Sequence, residues 1–307
     1  MRQSDFKQRT TIYVGLGNRR IERVIGADGA RYILKPEGGD GRERDIYDRM
    51  LAAFPPIYPK LVNRWTDDAD EGVTWLLFED LGELMHPHDP ALAEEAARRM
   101  AWWHSLADRP IDPVPLRGQK PLVSEMAAEV EEKQPLLKAF LLERGMAEAG
   151  IDDALRIAGG WRPSDETLVF SHGDLHVGNY ARVRGELYIL DWEHAHWNYR
   201  AWDLYHLIDL SHPLYPRPSG LNWREQLLDA YADAAARLGQ ALDASALRAD
   251  YYAAAVVFSL WMLGLIQRDL ASGGGPWERT KLLAQLDETL GALAANTASA
   301  REVGVRG

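Results

Sequence analysis

The constraint that weighs most on this chain is a change of pattern near residue 80. Upstream, Thr11–Val14, Arg20–Ile25 and Arg31–Leu34 are short β-rich runs separated by Gly15-Leu16-Gly17-Asn18 and by Ala27-Asp28-Gly29. Asp-Gly accepts the positive φ of a tight turn, so the second gap predicts a hairpin. A helix is expected over Asp40–Phe54, closed by Pro55-Pro56. Two more strands are expected over Lys60–Trp65 and Val73–Phe78, around the acidic turn Asp67-Asp68-Ala69-Asp70. Downstream, helices are expected over Pro90–Leu106, Pro121–Glu143 with a break near Pro135, Trp223–Leu238, Ala244–Leu270 and Trp277–Ala294. One β-rich island, Thr167–Asp191, interrupts them; Ser272–Pro276 reads as a loop and Arg301–Gly307 as a frayed tail. The class is α+β: a small antiparallel sheet with one helix over residues 1–80, then a larger helical part over residues 81–307. The 307 residues suit two domains at about 150 residues each, or one large one.

Composition removes several function classes. The 35 Lys and Arg against 46 Asp and Glu leave a net charge of −11, which disfavours nucleic acid as a partner, because phosphate backbones attract basic faces. The same balance is compatible with a cationic ligand. The absence of cysteine excludes disulfides, thiolate nucleophiles, iron–sulfur clusters and zinc fingers together. Met1–Thr11 is polar and charged, without the apolar core of a signal peptide. The most apolar stretch, Ala253–Ile266, is shorter than the ~20 residues a spanning helix needs and reads as a buried core helix. No membrane partner is expected, and the cytoplasm is the default location.

The island carries the chemistry. It reads Leu168-Val169-Phe170-Ser171-His172-Gly173-Asp174-Leu175-His176-Val177-Gly178-Asn179, then Tyr188-Ile189-Leu190-Asp191-Trp192-Glu193. Each apolar run delivers a polar cluster at the end of a strand. Asp174, Asn179 and Asp191 are the residue types that phosphoryl transfer requires: one carboxylate to accept the proton of an attacking hydroxyl, and an amide oxygen and a second carboxylate to hold Mg²⁺, a hard cation.

His172-Gly173-Asp174-x-x-x-x-Asn179, followed twelve residues later by Asp191, resembles the catalytic core of the aminoglycoside phosphotransferase and choline kinase-like family, small-molecule relatives of the protein kinases. Tyr32-Ile33-Leu34-Lys35 ends on a lysine that matches the strand lysine pairing with the α and β phosphates of the nucleotide. Glu43, in the following helix, is the candidate for its ion-pair partner. Trp75–Gly82 resembles the strand-to-hinge segment, where Glu79 C=O and Leu81 N–H would contact adenine. Met100–Leu106 resembles the family's helix ending in Ala-x-x-His, and Asp203 matches an aspartate that braces the catalytic loop, as His172 does from within it. The resemblance runs in order over about residues 10 to 210. It implies a bilobal protein-kinase-like fold hinged near residue 80, with ATP or GTP and Mg²⁺ as cofactors and a small hydroxylated molecule as acceptor.

Two departures stand out. Gly15-Leu16-Gly17 has Arg20 where kinases place the third glycine, so phosphate cradling would fall to Gly17 and Asn18. Asp191 is followed by Trp192-Glu193 rather than Phe-Gly. Gly173 replaces the arginine that many protein kinases use to read a phosphorylated activation segment, and only eleven residues separate Asp191 from Asp203. A constitutively assembled enzyme acting on a small molecule is expected. Glu193, His194, Asp209 and Trp197 are candidate acceptor contacts, and Trp192, Trp197 and Trp202 could offer their faces to a cation or serve as packing. Two other readings stand beside this one. One is a metallohydrolase built on His172, Asp174 and His176; the other is a catalytically dead nucleotide-binding module of the same fold.

Overall fold

The structure is a computed structural model, and it describes residues 5–15, 19–38, 41–67, 72–108, 120–163, 168–218, 220–273 and 277–305. In chain order these form β1 (Gln8–Val14), β2 (Arg20–Ile25), β3 (Arg31–Pro36), α1 (Arg42–Arg49), β4 (Leu61–Asp67) and β5 (Val73–Glu79). Then come α2 (Pro90–His104), α3 (Val123–Glu132), α4 (Gln134–Glu143), α5 (Glu148–Gly160) and β6 (Val169–Ser171). They are followed by β7 (Tyr180–Val183), β8 (Glu186–Ile189), β9 (His196–Asn198), α6 (Ala201–Ile208), α7 (Arg224–Arg237), α8 (Ala244–Ala271) and α9 (Arg279–Glu302). An antiparallel sheet region is thus followed by a helical one, as expected for the class. The helix expected from Asp40 starts at Arg42 and ends in a 3-10 turn at Leu51–Ala53. Asp40 and Asp68–Asp70 lie outside the described residues.

The described residues divide into two compact units. The first holds those up to His86 together with Asn179–His194; the second holds the remainder. In the first unit, five antiparallel strands run in the order β1-β2-β3-β5-β4. The turn between β2 and β3 places Gly29 at φ 82, and Gly29 N–H donates to the Gly26 carbonyl at 3.0 Å. Side chains alternate across a strand with a period of two. Leu34 therefore joins Val24, Trp75 and Leu77 in a core on one face, while Lys35, paired with Leu76, points to the other. That second face also carries Phe78, against which Tyr47 of α1 packs with ring centroids 5.2 Å apart. This alternation brings the β3 lysine to helix α1.

The hairpin β7–β8 belongs to the same unit. Its turn, Arg184-Gly185, has positive φ at both positions, the geometry that matches the twist of two-residue hairpins. Ile189 N–H donates to the Ile57 carbonyl at 2.6 Å, and Trp192 meets Phe54 edge-on at 5.3 Å.

The second unit is helical around the short pair β6–β9. Asp89 caps α2 by accepting from Ala91 N–H at 2.9 Å, with Pro90 in the first turn. The break expected near Pro135 separates α3 from α4 at Lys133. Helix α5 was not anticipated, and α9 runs through Arg301, where a frayed tail was expected. Helix α8 is 28 residues long, well beyond its apolar centre, and suits a membrane span by length and composition. Yet 67% of that apolar window is buried inside the unit, against α9, α3 and α5. It is a core helix.

Candidate active site

In the first unit, charge gathers around Lys35. The residue is 8% exposed, and its Nζ lies 2.9 Å from Glu43 Oε2, 2.6 Å from Asp191 Oδ1 and 3.2 Å from Glu193 Oε2. Burial pulls the ammonium down, but Asp191, Glu43 and Glu193 together hold it well above the usual lysine range. Glu43 is 3% exposed; burial pushes its carboxyl up to about 7, Lys35 opposing and Asp191 and Glu193 reinforcing. Three carboxylates thus share one ammonium. Oxygen atoms of Glu43, Asp191 and Glu193 all lie within 4.8 Å of one another, a hard-donor set that suits a divalent cation.

Local structure explains the placement. Asp191 follows β8 in the left-handed region, φ 58, a conformation aspartate tolerates better than most residues. The hairpin returns the chain so that Leu190 N–H donates to the Asn179 carbonyl at 2.8 Å, which sets Asn179 and Asp191 at the same end of β7–β8. Glu193, named from the sequence as an acceptor contact, turns back toward Lys35 and is also reached by Arg19 Nη2 at 3.2 Å. Its neighbour His194 has Nε2 3.6 Å from Glu193 Oε1. Gly17 and Asn18 lie outside the described residues. At the end of β5, Glu79 exchanges bonds with Lys60, its N–H donating at 3.0 Å and its Oε1 accepting at 2.9 Å. Asp80 then pairs with Arg23 at 2.8 Å and accepts from Gly82 N–H, and Leu81 between them is half-buried.

In the second unit, Asp203 organises the loop that carries Asp174. Its carboxylate is fully buried and accepts from His172 N–H at 2.7 Å, Gly173 N–H at 3.0 Å, His104 Nε2–H at 3.2 Å and Trp103 Nε1–H at 3.4 Å. Burial would raise this carboxyl, but the bond from His104, the nearby His172 and the Gly173 amide outweigh it and hold it down at about 2. Gly173, at φ 86, lets the loop present both amides. Trp202 Nε1–H closes the arrangement on the Gly173 carbonyl at 3.0 Å.

Asp174 is partly exposed, with Oδ2 3.7 Å from His176 Nε2 and Oδ1 3.8 Å from His206 Nε2. His206 donates Nδ1–H to the Trp202 carbonyl at 2.8 Å, which leaves Nε2 as an acceptor on the Asp174 side. Burial, partly offset by Asp174, pulls its pKa down to about 4. His176 stacks on His212 at 4.3 Å, and burial with His176 beside it takes His212 to about 4 as well.

Several expectations change here. Asp209 does not line a pocket: it is 1% exposed, paired with Arg224 at 2.6 Å, and accepts from Tyr251 Oη at 2.5 Å and Asn296 Nδ2 at 3.1 Å. Trp192 and Trp202 are buried and serve packing, whereas Trp197 is half-buried with its ring edge-on to Phe170. His172, Asp174 and His176 do not converge as a metal-ligand set among the described residues. The Nδ1 atoms of the two histidines instead accept backbone bonds, from Asp174 N–H at 3.2 Å and Gly178 N–H at 3.0 Å. Sequence reasoning missed Arg19 and His206. His206 had a signal, since it sits three residues after Asp203 on one helical face.

The family model described as "Phosphotransferase enzyme family" matches residues 10–242. Among curated proteins, none matches the sequence. Similar solved structures include the amicoumacin kinase hAmiN in complex with AMP-PNP, Ca²⁺ and Ami, at TM-score 0.61 and 15% identity, covering 94% of this chain and 88% of that one. A choline kinase from Cryptosporidium parvum aligns at TM-score 0.58 and 13% identity, over 98% and 91% of the two chains. A thermostable mutant of the aminoglycoside phosphotransferase APH(4)-Ia aligns at 0.56 and 15%, over 96% and 95%. At these identities the likeness is one of fold.

Proposed function

The chain belongs to the phosphotransferase enzyme family and by that membership is a small-molecule kinase, and from this premise we propose that it moves the γ-phosphate of ATP onto a hydroxyl of a small cationic molecule, such as an aminoglycoside or amino alcohol. GTP stands as the alternative donor. The observation that carries the reading is the buried Lys35 with Glu43 at 2.9 Å and Asp191 at 2.6 Å. A buried lysine held charged by carboxylates is suited to binding polyphosphate.

In this reading residues 1–80 form the nucleotide-binding lobe, and residues 81–307 carry the catalytic loop and the acceptor site. Glu79 C=O and Leu81 N–H hold adenine, and Lys35, kept in place by Glu43, holds the α and β phosphates. Asn179 and Asp191 would hold Mg²⁺, whose contribution is to neutralise charge on the phosphates. Asp174 orients the acceptor hydroxyl and takes its proton as the oxygen attacks phosphorus. Asp203 and His172 keep the loop in shape while that happens. His194 and Trp197 remain candidate acceptor contacts, and the net charge of −11 favours a cationic acceptor. Most of the rate enhancement comes from positioning and fixed charge rather than covalent chemistry.

Replacement of the proposed base separates chemistry from binding. Asp174→Ala is expected to abolish acceptor-dependent turnover while ATP affinity, measured by calorimetry, stays within a few-fold of wild type. Strong residual turnover in that variant would remove Asp174 from the role.

A further inference from the structure

The residue that precedes β2 is a cation aimed at the Lys35 cluster. Arg19 Nη2 donates to the Pro36 carbonyl at 2.8 Å, the residue next to Lys35, and to Glu193 Oε2 at 3.2 Å. Lys35 Nζ lies 3.2 Å from that same oxygen. One anionic oxygen therefore bridges the ammonium of β3 and the guanidinium of the residue just before β2. The Pro36 bond anchors Nη2, and the Arg19 Nε and Nη1 hydrogens have no protein acceptor among the described residues. An exposed ion pair on its own carries little weight. Here one partner, Lys35, is buried, and Glu193 already sits among carboxylates it repels. A more highly charged anion entering the cluster would take its place.

We infer that Arg19 is a second phosphate-binding residue for the nucleotide, and that Glu193 Oε2 stands between Arg19 and Lys35 where a phosphate oxygen binds. The inference rests on the nucleotide-donor reading above. It also gives a physical reason why a loop with Arg20 in place of the third glycine suffices: a planar fork of N–H donors does from a side chain what glycine-rich backbone amides do elsewhere. Arg19 is a positioning residue for phosphate and takes no part in proton transfer.

The test measures binding of adenosine, ATP with Mg²⁺ and inorganic triphosphate to the full chain and to Arg19→Met and Arg19→Lys, followed by calorimetry. Charge-assisted hydrogen bonds of this kind set the expected loss: Arg19→Met weakens ATP and triphosphate roughly 10- to 100-fold and leaves adenosine unchanged. Arg19→Lys, which keeps the charge without the fork, falls between. Unaltered adenosine binding shows in the same experiment that the variant is folded. If Arg19→Met binds ATP within about twofold of wild type, the inference is overturned while the donor reading stands. If it loses adenosine and ATP alike, Arg19 acts on the fold and the phosphate role is wrong. If wild type gains nothing from the phosphates over adenosine, the donor reading fails and this inference with it.

Discussion

Asp203 receives two backbone amides, an imidazole N–H and an indole N–H on one buried carboxylate. A neutral amide there would turn an NH₂ toward at least one of those donors, and a buried donor without an acceptor costs on the order of 1–3 kcal/mol. The same loop depends on a residue with no side chain. A Cβ on Gly178 would lie 2.3 Å from Tyr215 Cε2 and 2.8 Å from His176 Cε1, both inside any real contact distance. The half-buried Tyr215 ring, which meets the His176 and His212 rings at 5.4 Å each, would have to shift against them. Gly178→Ala is therefore expected to destabilise by roughly 1–3 kcal/mol through overpacking and to lower turnover. Adding Tyr215→Ala should recover part of that loss, so the double variant unfolds at a higher temperature than the two single variants predict by addition. Simple additivity would mean the ring is not the obstacle.

Elements show how much of this was legible beforehand. The Lys35–Glu43 pair was named through the family resemblance of Tyr32-Ile33-Leu34-Lys35 and the helix after it, and strand alternation is how the fold delivers it: Leu34 faces the sheet core and Lys35 the side that carries α1. The α3–α4 break was legible because Pro135 cannot continue a helix; it falls two residues earlier, at Lys133, and Pro135 takes a place in the first turn of α4. Helix α5 was not, since Gly150, Gly159 and Gly160 lower its propensity. Its signal was the buried stripe Ile151, Ala154, Leu155 and Ala158 at helical spacing. Asp174, Asn179 and Asp191 were named from spacing within one short stretch of chain. Arg19 was missed, and the buried setting of Asp209 was not foreseen, because the groups they meet lie on other elements of the chain. Arg19 and Glu193 are 174 residues apart, and Asp209 meets Asn296 across 87. No local pattern records such a meeting.

At the scale of the whole molecule, buried titratable groups set how stability depends on pH. His206 and His212 are held down at about 4, and His104 is lowered by burial as well. In the unfolded chain these imidazoles bind protons below about 6.5, whereas in the folded state His206 and His212 resist until about 4 and His104 is lowered in the same direction, so stability falls as pH drops below about 6.5. Asp203, folded at about 2, adds stability above its unfolded value near 3.8 that is lost as pH falls toward 2. Glu43, pushed up to about 7, works in the opposite sense, but among the described residues four lowered histidines, His88, His104, His206 and His212, oppose that one carboxyl. The melting temperature followed by calorimetry should decline from pH 7 to pH 4.5. A flat profile over that range would mean that the histidines are not buried neutral.

Phosphotransfer onto a small hydroxylated molecule is tested most directly by Mg²⁺-dependent nucleotide consumption over a panel of acceptors, with wild type beside Asp174→Asn. The panel would hold aminoglycosides, macrolides, choline, ethanolamine and amino sugars. The expected result is stimulation by one cationic hydroxylated class, dependent on Mg²⁺ and absent in the variant. Stimulation that survives in Asp174→Asn, or nucleotide consumption that no acceptor changes and Mg²⁺ does not affect, would contradict it.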